Sequence, residues 1–96
     1  MQEILQRYPN KLPVIFKSTE ISLRRRKYLI DKGFTFGQII SVIRSREHVK
    51  SELALFFFTE TNVLIPVTQL LESVYNLHAN NDKILYIHIK KENTFG

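Results

Sequence analysis

Apolar residues recur along this chain at two spacings, and each change of spacing marks a change of element. Leu12 to Lys17 (Leu-Pro-Val-Ile-Phe-Lys) contains β-branched and aromatic residues and reads as a strand. Pro13 lacks an N–H, so its nitrogen is expected to face away from a ladder partner. Ser18 to Ser22 reads as a connection, and Lys27 to Ile30 as a second short strand ended by Asp31, Lys32 and Gly33. Two strands so close in sequence predict an antiparallel hairpin. Ahead of them, Gln2 to Tyr8 carries Ile4 and Leu5 and reads as a short helix. Pro9 stops it, because proline disfavours helix in the residue before it. A helix this short does not hold alone, so it has to dock on the body of the protein.

The spacing then lengthens. Phe36, Ile39, Ile40 and Ile43 fall at i, i+3, i+4 and i+7, the apolar stripe of an amphipathic helix, with Thr35 as its N-cap. Arg44, Arg46 and His48 near its end suit the negative pole of the helix dipole. Gly37 weakens the helix slightly or lets something pack closely. Leu53 to Phe58 is a continuous apolar run and reads as a strand buried on both faces. Val63 to Ile65, closed by Pro66, is a candidate for a further short strand. Thr68 reads as the cap of a second helix carrying Leu70, Leu71, Val74, Tyr75 and His78. Asn80, Asn81 and Asp82 form a turn. In the last strand, Ile84 to Lys90, Leu85, Ile87 and Ile89 alternate with Tyr86 and His88.

The predicted order is (helix)–β–β–α–β–(β)–α–β. Two hairpins separated by a crossover helix, with the final strand returning to the middle, satisfy the right-handed crossover rule. That layout is the ubiquitin-like β-grasp, an α+β fold. It has a mixed four-stranded sheet, two main helices on one face and a remnant N-terminal helix. A length of 96 residues allows one domain over residues 1–96, with the helical remnant at 2–8 and a polar tail at 91–96.

Composition narrows the function classes. The 44% hydrophobic content and three glycines and three prolines describe a globular chain, not a disordered or collagen-like one. With no cysteine there is no disulfide framework, thiolate metal site or cysteine nucleophile. No apolar run reaches the ~18 residues of a membrane span, and no long signal-peptide core opens the chain, so it reads as cytosolic. The net charge of +5 favours an acidic partner, whether nucleic acid, anionic lipid or acidic peptide.

Few constellations carry chemistry. His48, His78 and His88 are scattered, with no pair at i, i+4, and read as surface or packing residues. No hydrolase elbow or phosphate-binding glycine loop occurs, and nothing brings Glu47 and Glu52, or Glu60 and Asp82, together, so an enzyme is not indicated. No metal or cofactor is implied. Arg24 to Lys27 is the densest cluster of charge, either a solvated loop or an acceptor for acidic groups. Alternation would put Arg24 and Arg26 on the side of Tyr28 and Ile30, and Arg25 with Lys27 on the other. An apolar surface rimmed by cations suits an acidic, hydrophobic peptide. The aromatic-basic signature of an RNA-recognition strand is absent, and Phe56-Phe57-Phe58 reads as core, so nucleic acid is not expected. The polar tail ends at Gly96, which is either an incidental end or a reactive carboxylate slim enough for a narrow enzyme channel.

Several stretches together resemble the autophagy ubiquitin-like modifiers of the GABARAP type. They are Arg7-Tyr8-Pro9 with Pro13-Val14-Ile15, Lys27-Tyr28-Leu29, Thr35 with Gly37-Gln38, and Ile43-Arg44 with Arg46. Ala54 to Phe58, Leu85-Tyr86-Ile87 and Phe95-Gly96 follow, in order and at nearly constant spacing across almost the whole chain. The resemblance implies a modifier that is not itself an enzyme. Its C-terminal glycine, here Gly96 after Phe95, is activated with ATP by an activating enzyme and passed through conjugating-enzyme thioesters to phosphatidylethanolamine. A cysteine protease trims and deconjugates it. The implied place is the cytoplasm, with reversible anchorage to autophagosomal or related organelle membranes.

The resemblance also implies a dock for peptides carrying an aromatic residue, two spacers and an aliphatic residue, often after acids, added as a strand beside the second strand. The aromatic pocket would use Ile4, Pro13, Ile15, Lys27, Leu29 and Ile84, and the aliphatic pocket Tyr28, Ile30, Phe34, Ile39 and Val42. Lys11 and Arg46 would meet acidic flanks. Ile39, Val42 and Arg46 independently form a second helix stripe beside the core stripe. Against the family pattern, the N-terminal arm is short and the Ser18 to Ser22 connection is reduced. Asp31 stands where a proline lines the aliphatic pocket, and Ile84 where the aromatic pocket has an aromatic residue. Two other readings share these features: a sister modifier linked to a protein lysine, and a peptide-binding module that is never conjugated.

Overall fold

The computed structural model describes residues 6–93. Its elements are β1 (Lys11–Lys17), β2 (Lys27–Asp31), α1 (Phe36–Glu47), β3 (Leu53–Phe58), α2 (Leu71–His78) and β4 (Leu85–Asn93). They form a four-stranded sheet of order β2-β1-β4-β3. β1 and β2 are the antiparallel hairpin, Lys11 opposite Asp31 and Ile15 opposite Lys27. The first and last strands lie side by side and parallel in the middle, and β3 closes the far edge antiparallel to β4. Of the N-terminal helix, Gln6 and Arg7 are helical and Tyr8 is not; the remainder of Gln2 to Tyr8 lies outside the described residues.

Strand alternation builds one core. Val14 and Phe16, Leu55 and Phe57, and Leu85, Ile87 and Ile89 are buried, and meet Phe36, Ile39 and Ile43 of α1 and Leu71 and Val74 of α2. The Phe16 ring lies 5.4 Å from Tyr28, edge to face, and 5.6 Å from Phe57, whose ring meets Phe36 edge-on at 6.0 Å. Such pairs add to the area they bury.

Thr35 and Gln38 form a full capping box at the start of α1. The Thr35 hydroxyl accepts the Gln38 N–H at 3.2 Å, and the Gln38 side-chain carbonyl accepts the Thr35 N–H at 2.9 Å. Gly37 is a close approach: its N–H donates to the Val67 carbonyl at 2.9 Å, and a Cβ there would stand 3.4 Å from that oxygen. At the other end His48 takes the left-handed conformation, φ 53°, and the Arg44 guanidinium binds the carbonyls of Lys50 and Leu53.

Five expectations are corrected. Lys91 to Asn93, read as the start of the polar tail, continue β4 instead, because they pair with Leu55, Ala54 and Leu53 of β3. Thr68 does not cap α2; Leu70 occupies the N-cap without a side-chain bond and is 44% exposed, so it is not core. The run Leu53 to Phe58 is buried on one face only: Phe56 and Phe58 are half-exposed, because both helices pack on the opposite side. Val63 to Ile65 does not make a second hairpin, since Pro66 and the turn at Thr59 to Asn62 leave room only for a bridge between Leu64 and Phe58. Arg24 to Arg26 precede β2 and are held by other contacts, so strand alternation begins at Lys27.

Candidate docking groove

β2 is an edge strand, and its free side can be read from the ladder. Phe16 N–H donates to the Arg26 carbonyl at 2.8 Å and Lys32 N–H to the Asn10 carbonyl at 2.9 Å. With the observed register, the inward-bonded pairs are therefore Val14 with Tyr28 and Leu12 with Ile30. The backbone groups of Lys27, Leu29 and Asp31 consequently face outward. Arg25 Nε occupies the Lys27 carbonyl at 3.0 Å and Phe34 N–H the Asp31 carbonyl at 3.1 Å. Among the described residues nothing bonds the outward amides of Lys27 and Leu29 or the Leu29 carbonyl, which leaves them facing the edge of the sheet.

A cleft lies on either side of this strand. The first, about 510 Å³, brings together Pro13, Ile15, Lys27, Leu29 and Ile84, and adds Tyr8, Lys11, Val14, Arg25 and Tyr28. Ile4, the sixth residue expected there, lies outside the described residues. The second, about 410 Å³, brings together Tyr28, Ile30, Phe34, Ile39 and Val42, and adds Leu29, Ile43, Lys11, Arg46 and Asp31. Lys11 lines both clefts and Arg46 the second. The alternation explains the split: Lys27 and Leu29 turn to one face of the sheet, Tyr28 and Ile30 to the face that meets α1. Gly96 and Phe95 lie outside the described residues; Asn93, the last residue of β4, pairs with Leu53 at the start of β3, the edge strand opposite β2.

The electrostatics are uneven. Lys11, Arg25, Lys27 and Arg46 line the clefts, and Asp31 is the one carboxylate among the lining residues. Asp31 Oδ1 accepts the Gly33 N–H at 2.8 Å, which fixes the turn after β2. The Arg25 guanidinium lies 5.0 Å above the Tyr28 ring. The Tyr28 hydroxyl is buried and has no hydrogen-bond partner among the described residues. Burial pushes its pKa up, the Glu47 charge adds to that, and Arg46 and Arg25 oppose it.

The basic run is anchored to the end of α1. The Glu47 carboxylate accepts the N–H of Arg24 at 2.9 Å and of Arg25 at 3.0 Å. Burial alone would raise its pKa, but these two bonds and the charges of Arg24 and His48 outweigh that and lower it. Sequence reasoning did not assign Tyr8 or Arg25 to the groove, nor Glu47 to the backbone of the basic run beside it. Arg25 had a signal in the basic run. Glu47 had a subtler one, an acid at a helix C-terminus, where the dipole disfavours it.

Among the described residues no group of three His, Asp or Glu is arranged to hold a metal ion, and no helix is long and apolar enough to cross a membrane.

A mixed sheet with its first and last strands paired centrally, and both helices on one face, defines a ubiquitin-like α+β fold. Residues 1–96 match the family described as "Autophagy protein Atg8 ubiquitin like". Autophagy-related protein 8e of Arabidopsis thaliana is 40% identical over 97% of this chain and 79% of its own length. Autophagy-related protein 8 of Schizosaccharomyces pombe is 37% identical over 99% and 81%. The crystal structure of Trypanosoma brucei ATG8 superposes with a TM-score of 0.87 at 31% identity, covering 99% of this chain and 84% of that one. The chain belongs to the Atg8 family of ubiquitin-like autophagy proteins.

Proposed function

We propose that this protein is a lipid-linked modifier, joined through Gly96 to phosphatidylethanolamine, that marks autophagy-related membranes and recruits receptors and adaptors. The carrying observation is the pair of apolar clefts flanking an open edge strand in a chain of this family. A peptide strand pairs with the free groups of Leu29 while its aromatic side chain fills the first cleft and its aliphatic side chain the second. Lys11 and Arg46 take acidic flanks. The chain is the passenger of the cascade: activating and conjugating enzymes load it, and a cysteine protease releases it from the membrane to the cytoplasm. Attachment by the tail after β4 leaves β2, at the other side of the sheet, open to partners.

The test is intact-mass spectrometry after incubation with cognate activating and conjugating enzymes, ATP and phosphatidylethanolamine vesicles. A gain of one phosphatidylethanolamine, lost in Gly96→Ala, is expected. Linkage to a protein lysine moves the chain to the sister class of modifiers. No conjugate, with enzymes active on a control, leaves a peptide-binding module. The groove is tested separately: chemical-shift changes from an acidic aromatic-x-x-aliphatic peptide should map to β2 and α1, and Leu29→Ala should weaken it.

A further inference from the structure

We infer that Glu47 is a positioning residue for acid recognition: its grip on the backbone of Arg24 and Arg25 sets the Arg25 guanidinium at the mouth of the first cleft, beside Lys27, to meet acidic residues flanking a docked aromatic anchor. The inference rests on the peptide-docking reading of the groove.

The geometry is specific. Glu47 binds two backbone amides, at 2.9 and 3.0 Å, and not the guanidinium groups. Among the described residues neither Arg24 nor Arg25 forms an ion pair with a carboxylate; the Arg24 guanidinium donates to the Arg46 carbonyl at 3.5 Å and its charge acts on Glu47, which leaves Arg25 as the cation that faces the cleft. The loop is tied from the other side by the Phe16 N–H to the Arg26 carbonyl, 2.8 Å. Between those two anchors Arg25 has little freedom. Its Nε donates to the Lys27 carbonyl at 3.0 Å, its Cζ lies 5.0 Å from the Tyr28 ring centroid, and it forms part of the cleft wall. The remaining guanidinium donors form a planar fork suited to a carboxylate or phosphate. Holding a long side chain in place before binding removes an ordering cost that the complex otherwise bears. A carboxylate at the end of α1 opposes the helix dipole, and its two amide bonds supply the compensating partner.

Charge and position predict opposite signs, which makes the inference testable. Removing Glu47 makes the surface one charge more positive, so charge alone would tighten binding of an acidic peptide. Positioning predicts that binding weakens. The probes are a peptide of three glutamates followed by Trp, two spacers and Leu, and its counterpart with serines for the glutamates. Affinities are read by fluorescence anisotropy at moderate salt. Glu47→Ala should weaken the glutamate peptide by about tenfold, the scale of one charge-assisted hydrogen bond, and the serine peptide by less than about twofold. Glu47→Gln, which keeps one acceptor oxygen at the same reach, should fall between. Amide hydrogen exchange at Arg24 and Arg25 should quicken in Glu47→Ala. The serine peptide doubles as the folding control. Equal or tighter binding of the glutamate peptide to Glu47→Ala overturns the inference and leaves the groove intact. No binding of either peptide to the unaltered protein overturns the docking reading, and the inference with it.

Discussion

Two tyrosines carry the same hydroxyl into different surroundings, and deleting it should move stability in opposite directions. Tyr28 OH is buried without a partner among the described residues. Tyr75 OH donates to the Lys83 carbonyl at 2.6 Å and pins the turn before β4, where Lys83 sits at φ 66°. Both phenols are pushed above their ordinary value of 10.0, chiefly by burial, with Glu47 adding at Tyr28 and Asp82 at Tyr75. Titration therefore does not distinguish them; pairing does. An unpaired buried polar group costs about 1–3 kcal/mol, whereas a satisfied bond contributes about 0.5–1.5 kcal/mol net. After the packing lost with one oxygen atom, Tyr28→Phe should gain about 1 kcal/mol and Tyr75→Phe should lose about 1 kcal/mol. For a domain of this size each corresponds to a shift of about 4–8 °C in Tm, upward for the first and downward for the second. Urea unfolding at pH 7 with unchanged m-values, followed by thermal melts, measures both. Shifts in the same direction, or a loss of 1 kcal/mol or more at Tyr28, would refute the assignment of an unpaired hydroxyl.

Other consequences are as direct. Thr35→Ala removes the hydroxyl half of the capping box and should cost about 1 kcal/mol in urea unfolding, with Thr35→Ser close to neutral. Glu47 has a lowered pKa, so its contribution is present above its ordinary value of 4.5 and lost as pH falls through the lower folded value; the stability gap between the protein and Glu47→Gln should close over that acid range. Asp31→Asn keeps an acceptor for the Gly33 N–H while removing the one carboxylate lining the second cleft, and should tighten an acidic aromatic-x-x-aliphatic peptide by about two- to fivefold in a calorimetric titration.

Most of the fold was legible because it follows from local periodicity. The stripe Phe36, Ile39, Ile43 and the alternation Leu85, Ile87, Ile89 appear in the core as spaced in the sequence, and Thr35 caps α1 as its neighbours Phe36 to Gln38 demand. The errors came where tertiary partners decide. Nothing in Leu53 to Phe58 says that helices cover one face only; the apolar residues on the other face are simply left half-exposed. Thr68 has the right chemistry for a cap, but the chain from Pro66 to Gln69 is drawn against α1 by the Val67 and Gln69 carbonyls, which receive the Gly37 and Phe36 amides. The helix therefore starts later, at Leu71.

The groove divides along the same line. Residues that reach the clefts by strand or helix parity, such as Lys27, Leu29, Ile39 and Val42, are assigned from spacing and family resemblance together. Arg25 is different, because it lies outside β2 and has no parity to obey. Its position depends on Glu47, 22 residues away, through main-chain amides that carry no sequence signature. The available clue is a conflict: a carboxylate in the last turn of a helix, among Arg44, Arg46 and His48, has the wrong sign for the dipole. A side chain that defies a local rule has a distant partner or is solvated, and here the partner is the backbone of the basic run. The rim of a recognition surface can thus be set by a residue that need not touch the ligand.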